Sequence, residues 1–261
     1  MTSSSTKPVI DLAIRDHIAF LTLIRPEAAN TIHLPFAREL LTAAFAIEAA
    51  GARAVVLGGQ GKNFCFGGDL KGMVASGGDV QAYLSELTAT LHAAIMHLAR
   101  LNAPVIAAVH GSAAGAGMGL VLAADYAIAA RSAKFVAAYT AVGLTPDASC
   151  TFLLPRAVGY KRAMELLLTN RVLDAEQALD WGLINEVVDD DDLAGAAAAR
   201  AARFAAGPTE AFGAVKRLLA ESEPGCEAQL GREGRSIATR GSSAEGREGI
   251  AAFLEKRAAR F

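Results

Sequence analysis

Asp147 stands in the stretch Gly-Leu-Thr-Pro-Asp-Ala-Ser (143–149), between the apolar run AKFVAAYTAV and the apolar run CTFLLPRAVG. A carboxylate in such company is costly unless it is paired, hydrogen-bonded or kept neutral. A carboxyl whose pKa is raised in this way is a candidate acid or base near neutral pH. The simpler alternative is a cap: Asp-Ala-Ser precedes an apolar stretch and could close the first turn of a helix.

Two glycine-rich stretches carry a second kind of chemistry. GGQGKNFCFGGDLKGM (58–73) and GSAAGAGMG (111–119) each follow an apolar strand and precede a helical segment. Such turns leave backbone N–H groups free at a helix start, facing the crevice at the carboxyl ends of the strands. Two turns side by side could aim two N–H groups at one oxygen and stabilise the charge that develops on a carbonyl. Gly115-x-Gly117-x-Gly119 is not the G-x-G-x-x-G of a dinucleotide site, and Gly61-Lys62-Asn63 lacks the spacing and hydroxyl of a P-loop. Close backbone packing is the structural alternative for either turn.

The elements that must position these residues follow from periodicity. VIDLAIRDHIAFLTLIRP reads as two strands with a turn at Arg15–Asp16, the second alternating Ile18, Phe20 and Thr22 against Ala19, Leu21 and Leu23. Residues 34–50 read as a helix with Phe36, Leu40, Leu41, Ala44 and Phe45 on its apolar face. ARAVVLGG, PVIAAVHG and YAIAARS read as strands, and the segments about 80–101 and 120–125 as helices. Strand, glycine turn and helix alternate, which argues for an α/β fold with parallel strands. From about Gly159 the strand signal fades and helical patterns dominate. The expected organisation is a disordered stretch at 1–7, an α/β core over 8–200, and a helical C-terminal region over 201–261. The acidic run Asp189–Asp192 reads as a solvated helix start.

Composition narrows the function. The 261 residues are 52% hydrophobic and 6% aromatic, with a formal charge of −2; the pI is about 6.2 and the mean hydropathy +0.31. A large aliphatic core is expected, and neither nucleic acid nor membrane is indicated as a partner. Cys65, Cys150 and Cys226 have no metal-binding spacing and read as buried reduced thiols. No metal is expected. MTSSSTKPV has no apolar core of a secretory signal, so a cytoplasmic location is the expectation.

The blocks NFCFGGDLKGM, PVIAAVHGSAAGAGMGLVLAADYAIAARSAKF and GYKRAMELLLTNRVLDAEQALDWGLINEVV resemble the enoyl-CoA hydratase/isomerase (crotonase) superfamily, from RPEAAN at residue 25 to REGIAAFLEKR near the end. The resemblance implies a spiral of ββα units with a helical C-terminal trimerisation region, assembled as a homotrimer or a dimer of trimers. It implies an acyl-CoA substrate, with coenzyme A as part of that substrate and no separate cofactor, and an enolate of its thioester. It puts the two oxyanion N–H groups on Gly68 and Ala116. It makes Lys71, and Lys256 of this chain or of a neighbouring subunit, candidate phosphate contacts; solvated surface lysines are the alternative.

Hydratases of this family carry two glutamates that hold water. Their positions fall on Gly119 and Tyr139, so hydration by that pair is disfavoured. G-L-x-P-D resembles the ring-1,2-epoxyphenylacetyl-CoA isomerases and related enoyl-CoA isomerases, which implies Asp147 as the acid/base of a proton shift. Apolar walls, with Phe66, Tyr139, Val142 and Leu144, are expected to sharpen its basicity. AKFVAAY and ALDWGL also resemble 4-chlorobenzoyl-CoA dehalogenases. There the aspartate is a nucleophile and a histidine partner falls on His92, while Tyr139 replaces a tryptophan that orients the aspartate. The leading expectation is an acyl-CoA isomerase. The alternatives are an aroyl-CoA dehalogenase or hydrolase, a hydratase of the general family type, and a non-catalytic acyl-CoA binder.

Overall fold

The computed structural model describes residues 7–75 and 80–220, together with Ser243, Ala244, Glu248, Ala252, Glu255, Arg257 and Arg260. The chain begins with a hairpin, β1 (Ile10–Arg15) and β2 (Ile18–Leu23), followed by α1 (Leu34–Ala49). The hairpin turn lies at Asp16–His17, one residue later than the sequence suggested, and both residues have positive φ (50° and 60°). That is the backbone that matches the twist of two short strands. Next come β3 (Ala54–Gly59), α2 (Leu70–Ala75) and α3 (Val80–Arg100), then β4 (Val105–Val109), β5 (Ser112–Ala114) and α4 (Ala116–Ala123). They are followed by β6 (Tyr126–Ala130), β7 (Lys134–Val136), α5 (Cys150–Val158) and α6 (Tyr160–Thr169). The described order ends with β8 (Leu173–Asp174), α7 (Ala175–Asp180), β9 (Glu186–Val188), α8 (Leu193–Ala205) and α9 (Thr209–Ala220). Strand–strand–helix recurs at β1-β2-α1, β4-β5-α4 and β6-β7-α5.

The main sheet has the order β1-β2-β3-β4-β6-β9, and only the β1–β2 pair is antiparallel. A three-stranded sheet, β5-β7-β8, lies beside the glycine turns. The α/β class with parallel strands is therefore as the alternation implied. The period of two divides the main sheet cleanly. Val55, Leu57, Val105, Ala107 and Val109 face the large core under α1 and α3. Ala54, Val56, Ile106, Ala108 and Ile128 face Leu193, Ala197 and Ala201 of α8. Both faces are covered, so β4 is buried at every residue, as a central parallel strand should be.

Two expectations change. Phe45 is 54% exposed and stacks on His97, ring centroids 4.3 Å apart, whereas Phe36, Leu40 and Ala44 are buried. The apolar face of α1 is thus narrower than its sequence suggested. The fading strand signal after Gly159 conceals β9, whose three half-buried residues close the main sheet beside β6; three residues are too few to establish a period. The carboxylates at the head of α8 are tied as well as solvated: Arg131 Nε donates to Asp189 (3.0 Å) and Ser132 N–H to Asp190 (3.0 Å). No described helix is long and apolar enough to cross a membrane. Beyond Ala220, the helical C-terminal region expected over 201–261 lies outside the described residues except for the single positions named above.

Candidate active site

Both glycine turns end at one cleft. The segment after β3 runs along β5, with Cys65 N–H donating to Ser112 O (3.2 Å) and Ala114 N–H to Cys65 O (2.9 Å). Any β-carbon on Gly117 would overlap the Cys65 carbonyl, so the start of α4 can approach this segment only as glycine.

Around Gly68 the chain pairs with Ile32: Ile32 N–H donates to Gly67 O (2.7 Å) and Asp69 N–H to Ile32 O (2.8 Å). In such a bridge the middle residue turns its own N–H the other way. Ala116 opens α4 after Gly115, so its N–H is one of those a helix leaves unpaired. Neither N–H has a partner among the described residues, and both residues line one cavity of about 1050 Å³. The start of α4 adds partial positive charge there.

Asp147 enters the same cavity from the loop before α5. Its side chain is 26% exposed. Tyr139 Oη donates to Asp147 Oδ1 at 2.6 Å. Burial, with Cys150 and Asp147 beside it, pushes the Tyr139 pKa up, so the group stays a phenol and a donor. His92 on α3 places Nε2 3.7 Å from Asp147 Oδ2. That nitrogen accepts the Ala148 N–H (3.3 Å), which puts the ring proton on Nδ1 in this arrangement. Ala148 and Ser149 have φ of 47° and 66°. These two left-handed residues turn the chain into α5 and leave the Asp147 side chain facing the cleft. The alternative of an aspartate cap is not met, because α5 is preceded by Ser149 and has no side-chain cap.

The remaining sequence candidates divide. Phe66, Leu144 and Lys71 line the cavity with Gly68, Ala116, Tyr139 and Asp147. Phe66 is 51% exposed and Val142 53%, so these walls form an open mouth rather than a sealed apolar box. Lys256 lies outside the described residues. Cys65 and Cys150 are free buried thiols, each pushed up to about 12 by burial; Cys226 lies outside the described residues.

Three supporting residues escaped the sequence reading. Asn30 is fully buried. Its amide nitrogen lies 2.9 to 3.1 Å from the carbonyls of Gln60, Asn63 and Phe64, and its oxygen accepts Arg25 N–H (2.9 Å). It fastens the first glycine turn to the end of β2. Asn30→Ala should lower stability by roughly 2–3 kcal/mol, since the buried Phe64 carbonyl and the part-buried bonds to Gln60 and Asn63 lose their donor. Denaturant unfolding is expected to show a lower midpoint with an unchanged m-value.

Arg25 and Asp69 complete that support. Asp69, beside Gly68, accepts from Arg25 Nη1 (2.9 Å) and from Gly72 N–H (2.9 Å). Burial pulls the Asp69 carboxyl upward, but the Gly72 N–H and the Arg25 guanidinium outweigh it and hold the pKa below its ordinary value. A carboxyl depressed in the folded state stabilises above its unfolded pKa, and that stabilisation fades as pH falls through the folded value. The stability gap between the wild type and Asp69→Asn should hold steady above about pH 5 and shrink below about pH 4. Urea unfolding across that range measures it; a gap that widens on acidification would contradict the pairing. The only sequence signal for these three residues was the run RPEAAN and the Asp after Gly67-Gly68, neither of which marks burial.

The chain matches the family described as enoyl-CoA hydratase/isomerase over residues 13–261. A probable enoyl-CoA hydratase of Rhodobacter capsulatus is 45% identical, over 95% of each chain. The 1,2-epoxyphenylacetyl-CoA isomerase of Escherichia coli is 41% identical over 92% of this chain and 93% of its own. The 4-chlorobenzoyl coenzyme A dehalogenase-2 of an Arthrobacter species is 36% identical over 84% of this chain and 80% of its own.

Proposed function

Because this chain belongs to the enoyl-CoA hydratase/isomerase family and has its fold, we propose that it is an acyl-CoA isomerase that moves a double bond, or rearranges a ring system, by proton transfer. The observation that carries this reading is one carboxylate, Asp147, held at 2.6 Å by the Tyr139 phenol in a cavity that also presents the Gly68 and Ala116 backbone.

The thioester oxygen of the substrate accepts the Gly68 and Ala116 N–H groups. That oxygen gains charge when a proton leaves the neighbouring carbon, and the two donors stabilise the enolate more than the ground state. For a 3-enoyl-CoA, Asp147 takes the proton from C2. The electron pair spreads over C2, C3, C4 and the thioester oxygen. The Asp147 carboxylic acid then returns the proton to C4, leaving the double bond between C2 and C3. One group serves as base and then as acid. Tyr139 holds the carboxylate in one orientation throughout. Water addition would need a second acid/base for the water, and Gly119 and Tyr139 stand where the family's hydratases have theirs.

The test is product analysis with 3-enoyl-CoA and 2-enoyl-CoA thioesters. Migration of the double bond without 3-hydroxyacyl-CoA is the expected result; 3-hydroxyacyl-CoA as the main product would reject it.

His92 favours a second reading. Its nitrogen at 3.7 Å from Asp147 suits an aspartate that attacks an aroyl-CoA ring and is then released by water, as in a dehalogenase or hydrolase. A single turnover in ¹⁸O-water separates the two. Nucleophilic attack puts an unlabelled oxygen of Asp147 into the first product, and proton transfer puts none.

A further inference from the structure

We propose that Gly119 is a positioning residue for Asp147, so that a side chain at position 119 and a correctly seated Asp147 exclude one another. The inference deepens the isomerase reading and rests on it for its kinetic arm. Gly119 lies within α4, three residues after Ala116. The bare face of α4 at Gly119 is occupied by the residue that follows Asp147. A β-carbon on Gly119 would stand 2.5 Å from the Ala148 carbonyl oxygen and 2.7 Å from its β-carbon. Both separations are well inside contact distance, and one partner is backbone, which cannot rotate away.

Ala148 cannot yield easily. It is fully buried, it holds a left-handed φ of 47°, and its N–H is held by His92. Cys150 N–H donates to Asp147 O (3.0 Å) and Leu153 N–H to Ser149 O (2.8 Å), so the loop is also drawn toward α5. A side chain at 119 would therefore push the whole loop away from α4, and Asp147 with it. α4 carries the Ala116 N–H at its first turn, so the Gly119–Ala148 contact sets the distance between the acid/base and the oxyanion donor. The position where family hydratases place a glutamate is thus a docking surface for the aspartate loop. Gaining the hydratase acid would unseat the isomerase acid. This gives a physical reason for the two chemistries to occur as alternatives on one fold.

The experiment uses Gly119→Ala, Gly119→Glu and the pair Gly119→Ala with Ala148→Gly, in the full chain. In Gly119→Ala, kcat for 3-enoyl-CoA isomerisation should fall about 10²-fold, as expected when a reacting group is displaced by about an ångström. KM should stay within about twofold, because the donors to the thioester are untouched. Ala148→Gly removes the opposing β-carbon and gives the left-handed residue more freedom to turn its carbonyl from position 119, so the pair should regain part of the lost kcat. Crystal structures should show Asp147 shifted away from Ala116 in the single alanine variant and returned toward its wild-type place in the pair. Gly119→Glu should show the same displacement. If the wild type proves not to be an isomerase, that reading fails in the wild-type assay, and the positions of Asp147 in the variant structures still decide this one. Unchanged kcat in Gly119→Ala, no recovery in the pair, or a glutamate at 119 beside an unmoved Asp147 would each overturn it. If Gly119→Ala does not fold but the pair does, the interlock is supported; if neither folds, relief at Ala148 does not rescue the fold and the proposal fails.

Discussion

Asp147→Asn is expected to lower the rate of double-bond migration by about 10²–10⁴-fold, the usual contribution of a positioned acid/base. The change keeps the shape of the side chain and leaves an oxygen to accept the Tyr139 hydroxyl, which now holds the carboxylate at 2.6 Å. Folding should therefore be retained, and thermal unfolding checks that it is. KM should change little, since in the proposed reaction Gly68 and Ala116, rather than Asp147, hold the thioester. The loss belongs in kcat. Exchange of the C2 proton with deuterium from D₂O should disappear together with turnover, because both need the same base. A variant that turns over within tenfold of the wild type would remove Asp147 from the role assigned to it. Loss of turnover with C2 exchange retained would move the base elsewhere and leave Asp147 to the return of the proton.

Ala116→Pro should have an effect of similar size by a different route. The oxyanion donor proposed at this position is a backbone N–H, which no ordinary side-chain substitution removes. Proline removes it, and the first residue of a helix is the place where proline is best tolerated. Ala116 is that residue in α4, directly after Gly115. Losing one of two donors to the developing enolate typically weakens transition-state binding by ~3–4 kcal/mol, or about 10²–10³ in kcat. The proline ring also projects toward the cavity that Ala116 lines, so KM should rise as well, unlike in Asp147→Asn. Steady-state kinetics beside a thermal unfolding measurement distinguish the two variants. A stable Ala116→Pro enzyme with unchanged kcat would exclude this N–H from the reaction.

The family, the α/β class, the two glycine turns and an aspartate set among apolar residues after them could all be read from the chain itself. Each has a local signature. β3, β4 and β6 are uninterrupted apolar runs because both of their faces are covered. The glycines at 117 and 119 are conspicuous because a β-carbon there would overlap neighbouring backbone, and Gly115 because its φ is positive. Asp147 is conspicuous because a charge among apolar residues is rare. What the chain did not disclose was which atoms meet. Asn30 is fully buried and makes four side-chain contacts with the backbone, yet in sequence it is one polar residue in a loop. Phe45 fits the apolar stripe of α1 and is nevertheless exposed, with only the His97 ring of α3 against it among the ring contacts. Gly119 read as a missing glutamate, whereas in three dimensions it is the surface on which Ala148 rests. The reason is common to all three. Periodicity reports how one element meets the core on average, while these contacts join segments about 30 residues apart or more, and those of Asn30 and Gly119 run to backbone atoms, which are the same for every residue type. The sequence therefore singled out Asp147 as the candidate acid/base, and the tertiary structure decided how that residue is held.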